Sequence, residues 1–169
     1  SPHAHARILS IDTKAACEAP GVLAVYTGAD IVDAGLGDMP CFAAKAVPLK
    51  RPDGGAMFLP PRPALVCDKV AFLGDYVAFV VAESRAEARD AAERIEVGYE
   101  PLPVNAITAR ALDETTTAVW EECPDNESFY FDAGDAEATE AAIAGAAHVV
   151  RQKFVINRVT ANTMEPRGA

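Results

Sequence analysis

The chain has 169 residues, with 15 Lys and Arg against 25 Asp and Glu, a formal net charge of -10. Hydrophobic residues make up 50%, but 34 of them are Ala, so bulky core formers are only about 30% of the chain; that still builds one sizeable core and excludes disorder over the whole length. The acidic balance argues against non-specific binding to nucleic acid or an anionic membrane, and no run approaches the roughly 18 apolar residues of a transmembrane helix.

In chain order, Ser1–Arg7 does not read as a signal peptide and no initiator Met stands there, so a fragment of a longer chain is expected. Arg7–Ile11 predicts a short strand, and Asp12-Thr13 an N-cap for a short helix to about Ala19, stopped by Pro20-Gly21. Val22–Tyr26 is a continuous apolar run, the pattern of a strand buried on both faces. Thr27–Asp30 turns the chain into a brief helical turn. Residues 34–63 hold four Gly and six Pro with little periodicity, which predicts a long irregular loop, either partner-contacting or a surface excursion.

Ala64–Cys67 predicts a strand, Asp68-Lys69 an interruption, and Val70–Leu73 and Tyr76–Ala82 two apolar runs joined through Gly74-Asp75. Ser84 and Glu87 have capping-box spacing for a helix to about Arg94. Ala88, Ala91, Ala92 and Ile95 fall on one face of it, small enough to sit close to a sheet. Ile95–Glu100 alternates like a half-solvated strand, ended by Pro101 and Pro103. The short connections of the strand–helix–strand unit over 76–99 are compatible with a parallel crossover, and the sequence leaves another sheet order open. A short helical signal follows at Ala109–Leu112. Between Asp113 and Glu140 stand ten acids and no Lys or Arg, a linker or solvated segment that accounts for the whole net charge. Asp135 caps a helix over about 136–144, and His148–Ile156 predicts a last strand.

The four Cys, at 17, 41, 67 and 123, lack the close spacing of zinc or iron–sulfur sites. Cys17 and Cys67 lie in apolar stretches and are expected as core thiols, and nothing points to an oxidising compartment, which favours the cytoplasm. His3 and His5 alternate and would share one face of a polar strand edge, a weak metal site without a third ligand; His148 reads as structural. No phosphate loop, dinucleotide fingerprint, nucleophile elbow or His-Glu-x-x-His is present. The acid pairs Asp113-Glu114 and Glu121-Glu122 read as solvated charge, not as the carboxylates of a small hydrolase, and Trp120 reads as an anchor of that segment onto the core. Glu165 and Arg167, flanking Pro166, mean little by spacing alone.

Several blocks together resemble a known family. Pro2–Ile8 resembles the opening of the α/β hammerhead domain of molybdenum hydroxylases, and Pro20–Asp30 the block after it. Asp68-Lys69-Val70, Gly74–Ala78, Val81–Ser84 and Ala88 through Pro103 match it most closely, with Tyr76 departing where the family usually has Pro. Gly134-Asp135, His148-Val149-Val150 and Met164–Ala169 look like the entry to the first molybdopterin-binding domain. The resemblance implies an α/β (α+β) fold: a hammerhead domain over 1–110 with a mixed sheet and packed helices, an acidic linker over 111–133, and the truncated start of a molybdopterin-binding domain over 134–169. It also implies the N-terminal, scaffolding part of a large subunit related to xanthine dehydrogenase, aldehyde oxidase and aerobic carbon monoxide dehydrogenase. The parent enzyme would oxidise an aldehyde, a purine, an N-heterocycle or carbon monoxide, using water. Its molybdopterin, expected in the cytosine dinucleotide form, would be joined by [2Fe–2S] clusters and FAD on partner subunits or domains in a dimeric complex. The family's catalytic glutamate and cofactor loops lie beyond the equivalent of Ala169, so no catalytic, cofactor-binding or metal residue is assigned here, and the fragment alone is expected to be inactive. The alternative is a free-standing assembly or interaction module of the same fold, with the loop 34–63 as its contact surface.

Overall fold

The computed structural model describes residues 1–42 and 46–156. Ser1–Phe131 form one compact unit, and Asp132 onward belong to a second. The first unit has two small sheets. In one, β1 (Ala6–Asp12) is central, with β3 (Lys69–Val70) on one edge and β5 (Glu96–Pro101) on the other; in the other, β2 (Val22–Thr27) pairs β4 (Ala78–Ala82). All of these pairings are antiparallel. The α+β class therefore holds. The unit over 76–99 makes no parallel crossover, because β4 and β5 lie in different sheets.

The helices are short. α1 (Lys14–Cys17) begins where Asp12 Oδ1 accepts from the Lys14 amide at 2.9 Å, and α2 (Gly28–Asp33) starts with Thr27 and Asp30 in a capping box. α3 (Arg85–Ala92) is capped by Ser84 as the sequence predicts: its Oγ accepts from the Glu87 amide at 3.3 Å and donates to Glu87 Oε2 at 2.7 Å. Two glycines are required where they stand. Gly21 takes φ +73° in the turn between α1 and β2. At Gly28 a Cβ would lie 2.5 Å from the Val66 carbonyl oxygen, so the α2 entry presses directly on the loop before β3.

The core between α1, α3 and the β2–β4 sheet is built from small side chains. Ala16, Ala19 and Ala91 are buried, with Val22, Val25, Val80 and Ile95 packed against them. Ala88 is half-buried, but Ala92, expected on the same face, is exposed. Under the other sheet Val70 is fully buried, worth about 1.5–2 kcal/mol of transfer energy.

Several expectations are corrected. Ala64–Cys67 is not a strand; the edge of β1 is taken by Lys69-Val70, and Val66 makes a single backbone bond, its amide to the Tyr76 carbonyl at 2.9 Å. β2 is not buried on both faces: Leu23, at a register shift, and Tyr26 are exposed. Cys17 and Cys67 are exposed, and Cys123 is the buried thiol. The segment 111–131, expected within an acidic linker, is bonded into the first unit as set out below.

The described part of the second unit carries α4 (Ala136–Gly145), capped by Asp135 Oδ1 accepting from the Ala138 amide at 2.9 Å. His148–Ile156 is not a strand: no described residue offers it a partner edge, and its apolar side chains stand exposed, Val150 at 90%. Met164, Glu165, Pro166 and Arg167 lie outside the described residues.

Candidate functional site

The residues singled out in the sequence do not converge. His3 and His5 precede β1 and serve different ends. His3 stacks at a tilt on Tyr99, 4.9 Å between ring centroids. His5 is buried, contradicting a polar strand edge. Its Nδ1 is 3.0 Å from the Pro103 carbonyl, which fixes Nδ1 as the donor, and its Nε2 has no partner. The Leu102 amide donates to the His5 carbonyl at 3.0 Å, so His5 pins the start of the chain to the end of β5. His148 is exposed, as are Asp113, Glu114, Glu121 and Glu122. Among the described residues no three His, Cys, Asp or Glu are grouped to hold a metal ion.

The sequence did not single out the polar centre of the first unit. Arg51, in the Pro/Gly-rich loop, pairs with Asp125, 74 residues away. Its Nη1 also donates to the Glu127 carbonyl and reaches Cys123 Sγ at 3.4 Å. The Glu127 amide first, then the Cys123 thiol and Arg51, hold the Asp125 carboxyl below the usual carboxylate range; the Cys123 sulfur and Asp125 push the Arg51 guanidinium upward. Asn126 closes the turn at φ +57°, its side chain accepting from the Val119 amide at 3.0 Å and donating to the Ala111 and Thr117 carbonyls.

The same two segments meet along their length. Phe58 and Ser128 exchange bonds of 2.9 and 2.7 Å, and the Tyr130 amide donates to the Lys50 carbonyl at 2.9 Å. Trp120 does anchor this segment: Lys69 Nζ sits 4.8 Å above its ring and donates to the Val119 carbonyl at 3.0 Å. The loop closes on itself where the Met39 amide meets the Arg62 carbonyl at 2.9 Å and the Arg62 amide meets Asp38 Oδ1 at 3.1 Å. A cavity of about 530 Å³ remains between loop and segment, with Met39, Met57, Phe58, Leu59 and Trp120 among its walls. Those walls and the acids beside them do not fit a phosphate-bearing pterin, which calls for clustered amide and guanidinium donors. The one sequence signal for the Arg51–Asp125 pair was the absence of Lys and Arg from 113–140, which leaves its acids only distant cations to pair with.

Comparison with known proteins agrees with this architecture. Residues 1–103 match the family model described as aldehyde oxidase and xanthine dehydrogenase, a/b hammerhead domain. The chain is 36% identical to the carbon monoxide dehydrogenase large chain of Afipia carboxidovorans, over 98% of this chain and 20% of that one. It is 37% identical to the nicotine 6-hydroxylase large subunit of Paenarthrobacter nicotinovorans, over 99% of this chain and 19% of that one. A crystal structure of the Cu,Mo-CO dehydrogenase superposes with a TM-score of 0.68 at 36% identity, covering 88% of this chain and 18% of the other. The aldehyde oxidoreductase of Desulfovibrio gigas does so with a TM-score of 0.65 at 31% identity, covering 88% and 15%. The chain thus spans about one fifth of the length of the curated relatives it matches.

Proposed function

The chain belongs to the aldehyde oxidase and xanthine dehydrogenase family through its α/β hammerhead domain, and from that membership we propose that it is a scaffolding part of the large subunit of a molybdopterin-dependent hydroxylase or dehydrogenase. The observation that carries this reading is the pairing of coverages: 98% of this chain aligns, on 20% of a carbon monoxide dehydrogenase large chain. Residues 1–110 serve as the hammerhead domain, with 111–131 fastened onto it, and 134–169 as the start of a molybdopterin-binding domain. The parent enzyme oxidises a small molecule, an aldehyde, purine, N-heterocycle or carbon monoxide, with water as the oxygen source. Its molybdopterin, in the cytosine dinucleotide form, is held by the rest of the large subunit. Electrons leave through [2Fe–2S] and FAD partners in a dimeric, cytoplasmic complex. When bound elsewhere in the parent, the cofactor supplies the redox chemistry; this chain contributes surfaces for packing, and by itself is inactive.

The exposed apolar side chains support a packing role. Leu9 and Leu23 both sit at register shifts that turn them outward, at 67% and 66% exposure, and the Tyr26–Phe79 pair faces out from the β2–β4 sheet. Among the described residues no helix is long and apolar enough to cross a membrane.

The test is immunopurification from the source organism with antibodies raised against this chain, followed by peptide mapping and metal and flavin analysis. The expected result places these peptides in a polypeptide about five times longer, accompanied by molybdenum, iron and flavin. A free polypeptide ending near Ala169 without molybdenum overturns the reading in favour of a stand-alone module. Stoichiometric molybdenum retained by the isolated chain overturns the absence of a cofactor site.

A further inference from the structure

We propose that the cavity between the loop 38–62 and the segment 119–128 is a site for one soft monovalent cation of the Cu(I) class, held by sulfur. Met39, Cys41 and Met57 line it from the loop, and Cys123 lines it from the segment. The chain has four Cys and three Met, so this one cavity, wholly within the first unit, gathers more than half of its sulfur side chains. The two remaining thiols, Cys17 and Cys67, stand exposed on other elements. Methionine is unbranched and polarizable, so Met39 and Met57 can swing their sulfurs onto an ion without moving the backbone.

The chemistry of the lining selects the occupant. Its oxygen-bearing side chains are already hydrogen-bonded: Asn126 to the Val119 amide and two carbonyls, Ser128 to the Phe58 carbonyl, Asp38 to the Arg62 amide. Trp120 and Arg62 carry only donors. The sulfurs remain. Cys41 is half-buried, and its thiol has no hydrogen-bond partner among the described residues. Among those residues no three His, Cys, Asp or Glu are grouped, which leaves hard cations and zinc without a ligand set. Two thiols completed by two thioethers are a soft set, which selects Cu(I). Binding releases the two thiol protons to solvent and leaves one net negative charge on the complex. Arg51, whose Nη1 is 3.4 Å from Cys123 Sγ, stands ready to offset it. Bonds from Phe58 to Ser128 and from Met39 to Arg62 hold both walls in place before an ion arrives.

The test is a titration of the full chain with Cu(I), free of oxygen and with ascorbate as reductant, against the coloured Cu(I) chelator bicinchoninate. The exposed thiols are first removed by Cys17→Ser and Cys67→Ser. The expected result is one ion withdrawn from the chelator per chain, with sulfur as the only ligand atom in X-ray absorption. Trp120 is the only tryptophan of the chain and lines the cavity, so its fluorescence should change and saturate at the same point. Cys41→Ser loses no hydrogen bond and keeps the fold, and should weaken binding at least about tenfold. Met39→Leu with Met57→Leu keeps the volume of the walls and should weaken it about tenfold. Zn(II) at equal concentration should not displace the ion. Uptake that disappears with Cys17 and Cys67, nitrogen or oxygen ligands in the absorption spectrum, unchanged binding in Cys41→Ser, or displacement by Zn(II) each overturns the proposal. None of these readouts depends on molybdenum, so the outcome is separate from the assignment of the parent enzyme.

Discussion

The α1–α3 core and the Arg51 junction hold one compact unit together by opposite means. Between α1, α3 and the β2–β4 sheet, three buried alanines let helices and strands approach closely, and the stabilisation comes from many weak, non-directional contacts. At the junction, two segments with little regular structure are joined by a few directional bonds to Arg51, Asp125 and Ser128, across 70 residues or more. The first arrangement tolerates changes of pH and salt but not of volume. The second tolerates changes of volume but not of charge. A domain with few bulky core residues can therefore still order a long Pro/Gly-rich loop, provided the loop carries a cation and the distant segment carries acids.

Mutations that add volume should separate the two regions most sharply. Ala91→Leu forces a branched side chain between α3 and α1 and should cost about 2–3 kcal/mol in urea unfolding, with no dependence on salt. Val70→Ala removes two methyl groups from a fully buried site and should cost about 2 kcal/mol by the same measurement. Ser84→Ala removes the cap of α3 and should cost about 1 kcal/mol, recovered in part by Ser84→Gly.

Asp125→Asn should change global stability least, but should be the variant that depends on conditions. The Asp125 carboxyl is held below its ordinary value in the folded chain. Its contribution is therefore fully present above the ordinary carboxylate value and is lost as pH falls through the folded one. The wild-type chain should accordingly lose stability over that acidic window, and the variant should show a flatter profile there. At neutral pH, chymotrypsin should cleave the variant faster after Phe58, because the loop opens locally before the core does. Equal cleavage rates would mean that the loop is held by its backbone bonds alone.

Local features were legible in the sequence and distant ones were not. The Ser84–Glu87 cap, β1, β2, β4 and the turn at Pro20-Gly21 each follow from contacts within a few residues. The strand expected at Ala64–Cys67 failed because hydrophobicity marks a segment for burial without saying whether an edge is free to receive it. Leu65 is buried, yet Lys69-Val70 occupies that edge. The same reasoning mistook Cys17 and Cys67 for core thiols. Arg51 and Asp125 were hidden because no periodicity links residues so far apart. The acidic segment looked like a linker for the same reason: its charge was visible, and its partner was not.

The pairing of His5 with Pro103, 98 residues later, has a consequence for biosynthesis. β1 leaves the ribosome first, but its long partner β5 is among the last strands of the unit to be made. At about 5–20 residues per second, β1 waits on the order of 5–20 s with the edge that β5 will cover still open. The strand at the centre of the finished sheet is therefore the one that most needs protection during translation, and the chain closes on its own beginning only when Pro103 has emerged.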